Sequence, residues 1–122
     1  MVEADYRLKF GRKAEDLALR YLLKQNLTLL ERNFRSRFGE IDLIMQQNNT
    51  IIFVEVRARK TDAFLHPAES VDYRKRDRIR KTSQVYMHKT AAWNRFDMRF
   101  DVIALTGSTG RGMKIDWIKA AF

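Results

Sequence analysis

The sequence predicts a mixed α/β domain, with a central sheet flanked by helices in the order α-β-β-β-α-β-β. Three observations carry this: an apolar stripe at helical spacing near the start, three strand-like runs in succession, and a second charged helix followed by two more strands. The chain has 122 residues, 45% of them hydrophobic. That suits one domain, taken here as residues 1–122, with a single core.

The first helix is predicted from about Tyr6 to Gln25. Ala14, Leu17, Ala18, Tyr21 and Leu22 fall at i, i+3, i+4, i+7 and i+8 and form one apolar stripe. Asp5 is the expected N-cap. Leu27 to Phe34 reads as a first strand. Phe38 to Gln46 and Thr50 to Arg59 read as two more, joined at Asn48-Asn49, because asparagine tolerates the positive φ of a two-residue hairpin turn. Asp62 to Ser70 is a loop around Pro67, the single proline. Val71 to Lys89 is the second helix, with Ser70 as its expected cap. Met98 to Leu105 and Met113 to Ile118 close the sheet around a turn rich in glycine, serine and threonine.

The chain has no cysteine, which excludes disulfides and thiolate metal sites and fits a reducing cytoplasm. Glu3, Asp5, Arg7 and Lys9 interrupt any signal-peptide core, and no run approaches the ~20 apolar residues of a membrane span. The expectation is a cytoplasmic protein without a membrane partner. The formal net charge of +9 gives a positive field that attracts polyanions, nucleic acid first among them. A solvated basic surface without a specific partner is the plainer alternative.

The hairpin from Phe38 to Arg59 is the most informative stretch. A turn at Asn48-Asn49 sets Ile44 opposite Phe53, Asp42 opposite Glu55, and Glu40 opposite Arg57. Alternation then gives one face to Ile41, Leu43, Met45, Ile52, Val54, Val56 and Ala58, all apolar and expected to be buried. The other face carries Ile44 and Phe53 near the turn, then the charged set. Two carboxylates directly opposed repel, and a hard divalent ion such as Mg²⁺ or Mn²⁺ between them removes the conflict. Ordinary exposed carboxylates, with Glu40 and Arg57 as a plain cross-strand pair, are the other reading. A bulge near Gly39 would change the partner of Glu40.

Gly39-Glu40-Ile41-Asp42-Leu43-Ile44 and Ile52-Phe53-Val54-Glu55-Val56-Arg57 resemble the signature of the bacterial YraN family. The likeness continues through Gly11-Arg12-Lys13-Ala14-Glu15, Ser70-Val71, Lys75, Arg78-Ile79, Tyr86 and Arg99-Phe100-Asp101-Val102. That family is similar to Holliday-junction resolvases of the PD-(D/E)XK, restriction-endonuclease-like fold. The resemblance implies a metal-dependent DNA endonuclease for branched or structured DNA, with Asp42 and Glu55 as ligands of Mg²⁺ or Mn²⁺. It implies Glu15 as an assisting ligand, although a surface position for Glu15 stays open. It expects lysine at position 57, where this chain has arginine, which cannot lose its proton in a protein. Arg57 can still stabilise phosphate charge, but a catalytically degenerate nucleic-acid-binding module or a repair accessory protein is the alternative. Related resolvases are dimers, so a homodimer is compatible.

Candidate phosphate contacts lie on the second helix: Arg74, Lys75, Arg76, Arg78, Arg80 and Lys81, opposed in this stretch by Asp72 and Asp77. Arg59 and Lys60 follow directly from the acidic cluster. Lys75 and Gln84 are the helix members expected to reach toward the site. His66, His88, Trp93 and Trp117 are read as loop, surface or packing residues.

Overall fold

The computed structural model describes residues 2–59, 72–107 and 113–122, with side chains from residue 11 onward. Two helices and five strands follow one another as α1 (Val2–Lys24), β1 (Thr28–Ser36), β2 (Gly39–Gln47), β3 (Thr50–Arg59), α2 (Tyr73–Lys89), β4 (Asp97–Gly107) and β5 (Met113–Ile118). The order matches the expectation, and β3 and β5 have the expected bounds. The strands lie side by side in chain order in a single sheet. The β1/β2, β2/β3 and β4/β5 pairs are antiparallel, and β3/β4 is parallel.

The helices differ from expectation at their starts. Asp5 lies inside α1 and does not cap it, because helix-compatible residues extend the helix back to Val2. Gly11 sits within this helix, exposed and with nothing within 4 Å of where a Cβ would stand, so the missing side chain leaves no void. Helix α2 is capped by Asp72, whose Oδ1 accepts the Lys75 backbone N–H at 2.9 Å. The expected cap Ser70 lies outside the described residues, as do Lys60, His66, Pro67 and Val71. A side-chain oxygen at N-cap satisfies a donor that the helix leaves orphaned, so Asp72 fixes the start of α2 and places Lys75 in its first turn.

Both faces of the sheet are covered. On one, Ala14, Ala18 and Leu22 of α1 pack on Leu43, Met45, Ile52, Val54, Ile103 and Leu105. On the other, Ile79, Tyr86 and Met87 of α2 pack on Phe34, Ile41, Ile44, Ile51, Phe53 and Val102. Strands β3 and β4 are therefore buried in unbroken runs, Ile51 to Glu55 and Asp101 to Leu105, as parallel strands sandwiched between helices usually are. Val56 and Ala58, expected to be buried with the rest of their face, are half-buried.

The turn at Asn48-Asn49 and the register next to it are as expected: Gln47 pairs with Thr50 and Ile44 with Phe53, with Asn48 at φ 54°. The alternation fails beyond Leu43. Ile41 lies on the α2 face, whereas Leu43, two residues on, lies on the α1 face. The β2/β3 pairing stops at Leu43↔Val54. Asp42 is thus the point where β2 changes face and leaves β3. Asn33 of β1, at φ 54°, stands beside it, between the pairs Arg32↔Leu43 and Phe34↔Ile41.

Candidate active site at the parting of β2 and β3

The expected Asp42–Glu55 and Glu40–Arg57 cross-strand pairs are absent from the ladder. Like charges directly opposed disfavour pairing, and here the strands separate. Asp42 Oδ2 accepts the Val56 backbone N–H at 2.8 Å, so a carboxylate takes the place of the carbonyl that β2 no longer supplies. The bond satisfies a strand donor and anchors Asp42 in the gap.

Glu55 is buried, on the α2 side of β3. Its Oε1 is held by Lys75 Nζ from the first turn of α2 at 2.5 Å and lies 3.9 Å from Arg57 Nη1. Arg57 therefore partners Glu55, not Glu40. Glu40 pairs instead with Arg35 of β1, Nε to Oε2 3.4 Å. The reason is the same parting of the strands: β2 turns with β1 and carries Glu40 away from β3.

Asp42 adjoins two cavities. One, of about 200 Å³, is lined by Gly39, Glu40, Asp42, Glu55, Lys75, Arg78 and Ile79. The other, of about 740 Å³, lies toward α1, where Arg12, Glu15, Arg32, Asn33, Arg35 and Glu40 meet Asp42. Burial pushes the Asp42 carboxyl up to about 8; the charges of Glu55 and then Glu15 add to this, while the Val56 hydrogen bond and Lys75 oppose it. A carboxyl so disfavoured as an anion has strong electrostatic demand for a cation.

Glu15 reaches this site from α1 but is already engaged. Arg32 Nε lies 3.5 Å from its Oε1, and the Asn33 amide, turned to satisfy its surroundings, donates to Glu15 Oε1 and Glu40 Oε1 at 3.1 Å each. Arg32 is held above its usual range chiefly by its hydrogen bond to Asp16. Among the described residues no three acidic or histidine side chains converge into a ready metal cage. The donor set at Asp42 is a pair of carboxylates. That set suits Mg²⁺, which is commonly held by one or two carboxylates with water and substrate phosphate completing its shell.

The remaining candidates divide. Lys75 reaches the site; Gln84 does not, its amide lying 3.9 Å from Met98 Sδ of β4. Arg74, Arg78, Arg80 and Lys81 are exposed, whereas Arg76 and Arg59 are half-buried. Arg76 and Arg80 lay their guanidiniums over the Phe122 ring, 5.6 and 5.5 Å from its centre. Trp117 is a packing residue whose Nε1 donates to buried Asp101 at 2.8 Å. Trp93 is 59% exposed and stacks on His88. Arg32, Asn33 and Arg35 escape the sequence reading because β1 looks like an ordinary strand. The one signal for them is an asparagine amid strand formers, a residue that accepts positive φ.

The sequence model of a family described as Uncharacterised protein family UPF0102 matches residues 14–105, which include Glu15, Asp42, Glu55, Arg57 and Lys75. A UPF0102 protein of Pseudomonas syringae pv. syringae is 40% identical over 116 residues, covering 95% of this chain and 94% of that protein. One from Stutzerimonas stutzeri is 43% identical over 112 residues, 92% of each chain. One from Vibrio parahaemolyticus is 45% identical over 113 residues, 93% of this chain and 91% of its own.

Proposed function

This chain belongs to the UPF0102 family, and on the geometry of its carboxylate pair we propose that it hydrolyses phosphodiester bonds in DNA, with branched or structured DNA as substrate. The observation that carries the reading is Asp42 in the gap between β2 and β3, its proton affinity raised beside the buried Glu55 and two cations. The reading extends to a restriction-endonuclease-like fold, supported by helices on both faces of a mixed sheet and by acidic residues where two strands diverge.

Asp42 and Glu55 would hold Mg²⁺ or Mn²⁺, with Glu15 at the margin of the site. Such an ion, when bound, supplies Lewis-acid polarisation of a phosphoryl oxygen. The chain's own groups do the rest. Val56 N–H orients Asp42 by donating to Oδ2. Arg57 and Lys75 converge on Glu55 Oε1, and two such positive charges would stabilise the negative charge of a pentavalent phosphate bound beside them. Arg57 keeps its proton throughout, so it can stabilise charge and position water but cannot act as a base.

A DNA-binding module without catalysis is the second reading. It is favoured by Lys75 seated on Glu55 Oε1, a tethered cation beside the carboxylate that a metal ion would otherwise neutralise. Purified protein incubated with linear, flapped and four-way DNA, with Mg²⁺ or Mn²⁺, separates the two. Cleavage that disappears in both Asp42→Asn and Glu55→Gln supports hydrolysis at this site. Intact substrates under every condition, with DNA still bound, establish the second reading.

A further inference from the structure

The parting of β2 from β3 sends β2 with β1 toward α2, and the β1–β2 turn, Arg37-Phe38, ends against that helix. Ser36 and Gly39 close the turn as a strand pair. Ser36 Oγ bonds Thr82 Oγ1 of α2 at 2.8 Å and accepts the Phe38 N–H at 3.0 Å. Thr82 is fully buried, so the turn is fastened to the helix at a site closed to water. Gly39 ends the turn at φ 158°, a backbone conformation that glycine adopts freely, and a Cβ there would lie in contact with Arg78 Cβ of α2 at 3.4 Å, so turn and helix are close neighbours.

This junction is lined with cations. Arg35 is 78% exposed at its side chain, and Arg37 is exposed with its guanidinium 4.8 Å from the centre of the Phe38 ring. Lys81 Nζ lies 5.8 Å from the same ring. On α2, Arg74, Arg78 and Lys81 follow at i, i+4 and i+7, one row on the flank of the helix nearest the turn. Arg76 and Arg80 fall on the other flank, over Phe122. The acids nearby are Glu40, bonded to Arg35, Asp77, bonded to Lys81, and Asp72, the helix cap. Five cations face three acids, and Arg78 and Gly39 also line the cavity that holds Asp42 and Glu55.

We propose that this junction, the Arg35–Phe38 turn with the Arg74–Arg78–Lys81 row, is the surface that grips the phosphodiester backbone of a nucleic acid and presents it to Asp42 and Glu55. The proposal rests on the function proposed above and adds the footprint. Three properties fit a nucleic acid. Three of the cations follow one row along α2 and lead to the turn, where Lys81 and Arg37 both approach Phe38, a succession that can track a backbone. The Arg37–Phe38 pair offers a flat surface on which a base can stack. The surface also runs without a break into the carboxylate cavity. Its attachment through Ser36 and Thr82 removes the ordering cost that a loose loop would bring to binding.

The test is fluorescence anisotropy with labelled single-stranded and duplex oligonucleotides in metal-chelating buffer, where no cleavage intervenes. Arg35→Glu with Arg37→Glu is expected to weaken binding at least about tenfold. It should also reduce the magnitude of the salt slope for duplex by about 1.8, two contacts at about 0.9 each. Lys114→Glu with Lys119→Glu, an equal charge change at the β5 edge of the sheet, is expected to weaken it less than about twofold, the effect of net charge alone. Arg35→Gln with Arg37→Gln, checked by circular dichroism, guards against loss of fold. Equal losses at the two places, or none at the turn, overturn the footprint while leaving the proposed hydrolysis standing. Polyglutamate that competes as well as DNA at equal charge overturns the nucleic-acid assignment in favour of an acidic protein. Wild-type protein that binds neither oligonucleotide overturns the footprint, while the cleavage assay on four-way and flapped DNA decides the proposed function.

Discussion

Replacing Asp42 by Asn is expected to stabilise the protein in alkaline, metal-free buffer, although it removes the residue on which the proposed chemistry depends. Asparagine keeps an oxygen to accept the Val56 N–H and removes only the charge. The carboxyl moves from an ordinary value of 3.8 to about 8 in the fold, chiefly through burial and the charge of Glu55. The folded chain therefore holds this proton more tightly than the unfolded chain. Wild-type stability is unaffected below about pH 4, falls as pH rises from about 4 to 8, and levels off above that, with a slope of at most ~1.4 kcal/mol per pH unit. The full shift would amount to roughly 6 kcal/mol. The cavities beside Asp42 admit water and relax the penalty, so we take about 2–3 kcal/mol at pH 8.5. For a domain of this length that is a Tm rise of roughly 8–12 °C for the variant.

Thermal melts of wild type and Asp42→Asn at pH 4 and pH 8.5, with a chelator and then with Mn²⁺, measure it. The variant's advantage should be near zero at pH 4 and largest at pH 8.5. It should shrink or reverse when Mn²⁺ is added, because the ion stabilises only the chain that binds it. A variant less stable than wild type at pH 8.5, or an advantage equal at both pH values, would refute the electrostatic reasoning. Equal Mn²⁺ stabilisation of the two proteins would remove the metal from Asp42.

Other expectations follow from the same contacts. Lys75→Met leaves the buried Glu55 with Arg57 as its remaining named cation and should lower stability by about 1–3 kcal/mol in chemical denaturation, less in the presence of Mg²⁺; no loss would show that Arg57 alone suffices. Arg57→Ala should abolish cleavage of structured DNA while calorimetry still detects Mn²⁺, and Arg57→Lys should retain activity; full cleavage by the alanine variant removes its assigned role. Asp101 is buried and accepts from Arg99 Nε and Nη2, Trp117 Nε1 and Ala120 N at 2.8–2.9 Å. Asp101→Asn should therefore cost about 1–3 kcal/mol by turning an amide N–H toward donors that the buried carboxylate accepts, with quenching or shift of Trp117 fluorescence as a second readout.

The architecture was legible because its elements carry strong local signals. The α1 stripe, the Asn48-Asn49 turn and the apolar runs of β3 and β4 each specify a period or a turn without reference to distant residues. The helix starts were not, because Asp5, Ser70 and Asp72 all suit a cap by composition; helix-compatible residues carry α1 back past Asp5, and it is Asp72 whose side chain takes the Lys75 N–H. The carboxylates of the candidate site were also legible, as opposed acids in a hairpin. Their true relation was not. Counting from the turn assumes continuous alternation, and the chain abandons alternation at Asp42. The contribution of β1, with Arg32, Asn33 and Arg35 around Glu15 and Glu40, depends on that break and has no signature in β1 itself.

The departure from regular pairing also explains why the site can exist at all. Continued to Glu40↔Arg57, the hairpin would set Asp42 and Glu55 face to face in a ladder, with the flanking backbone groups all paired. By leaving β3 at Leu43↔Val54, β2 opens cavities on both sides of Asp42 and exposes the Val56 N–H that the Asp42 carboxylate then takes. One irregularity thus creates the space, supplies the hydrogen bond that orients the acid, and turns Glu40 and the β1–β2 turn toward α2. The lost ladder bonds and the buried charge both lower stability, and the cores on the two sheet faces offset them. Lys75 fits the same logic. It enters from α2, which the Ser36–Thr82 bond fastens beside the turn, and it holds Glu55 in place of the opposing strand. A substitution that closed the gap and restored regular pairing would be expected to stabilise the sheet and to destroy the site.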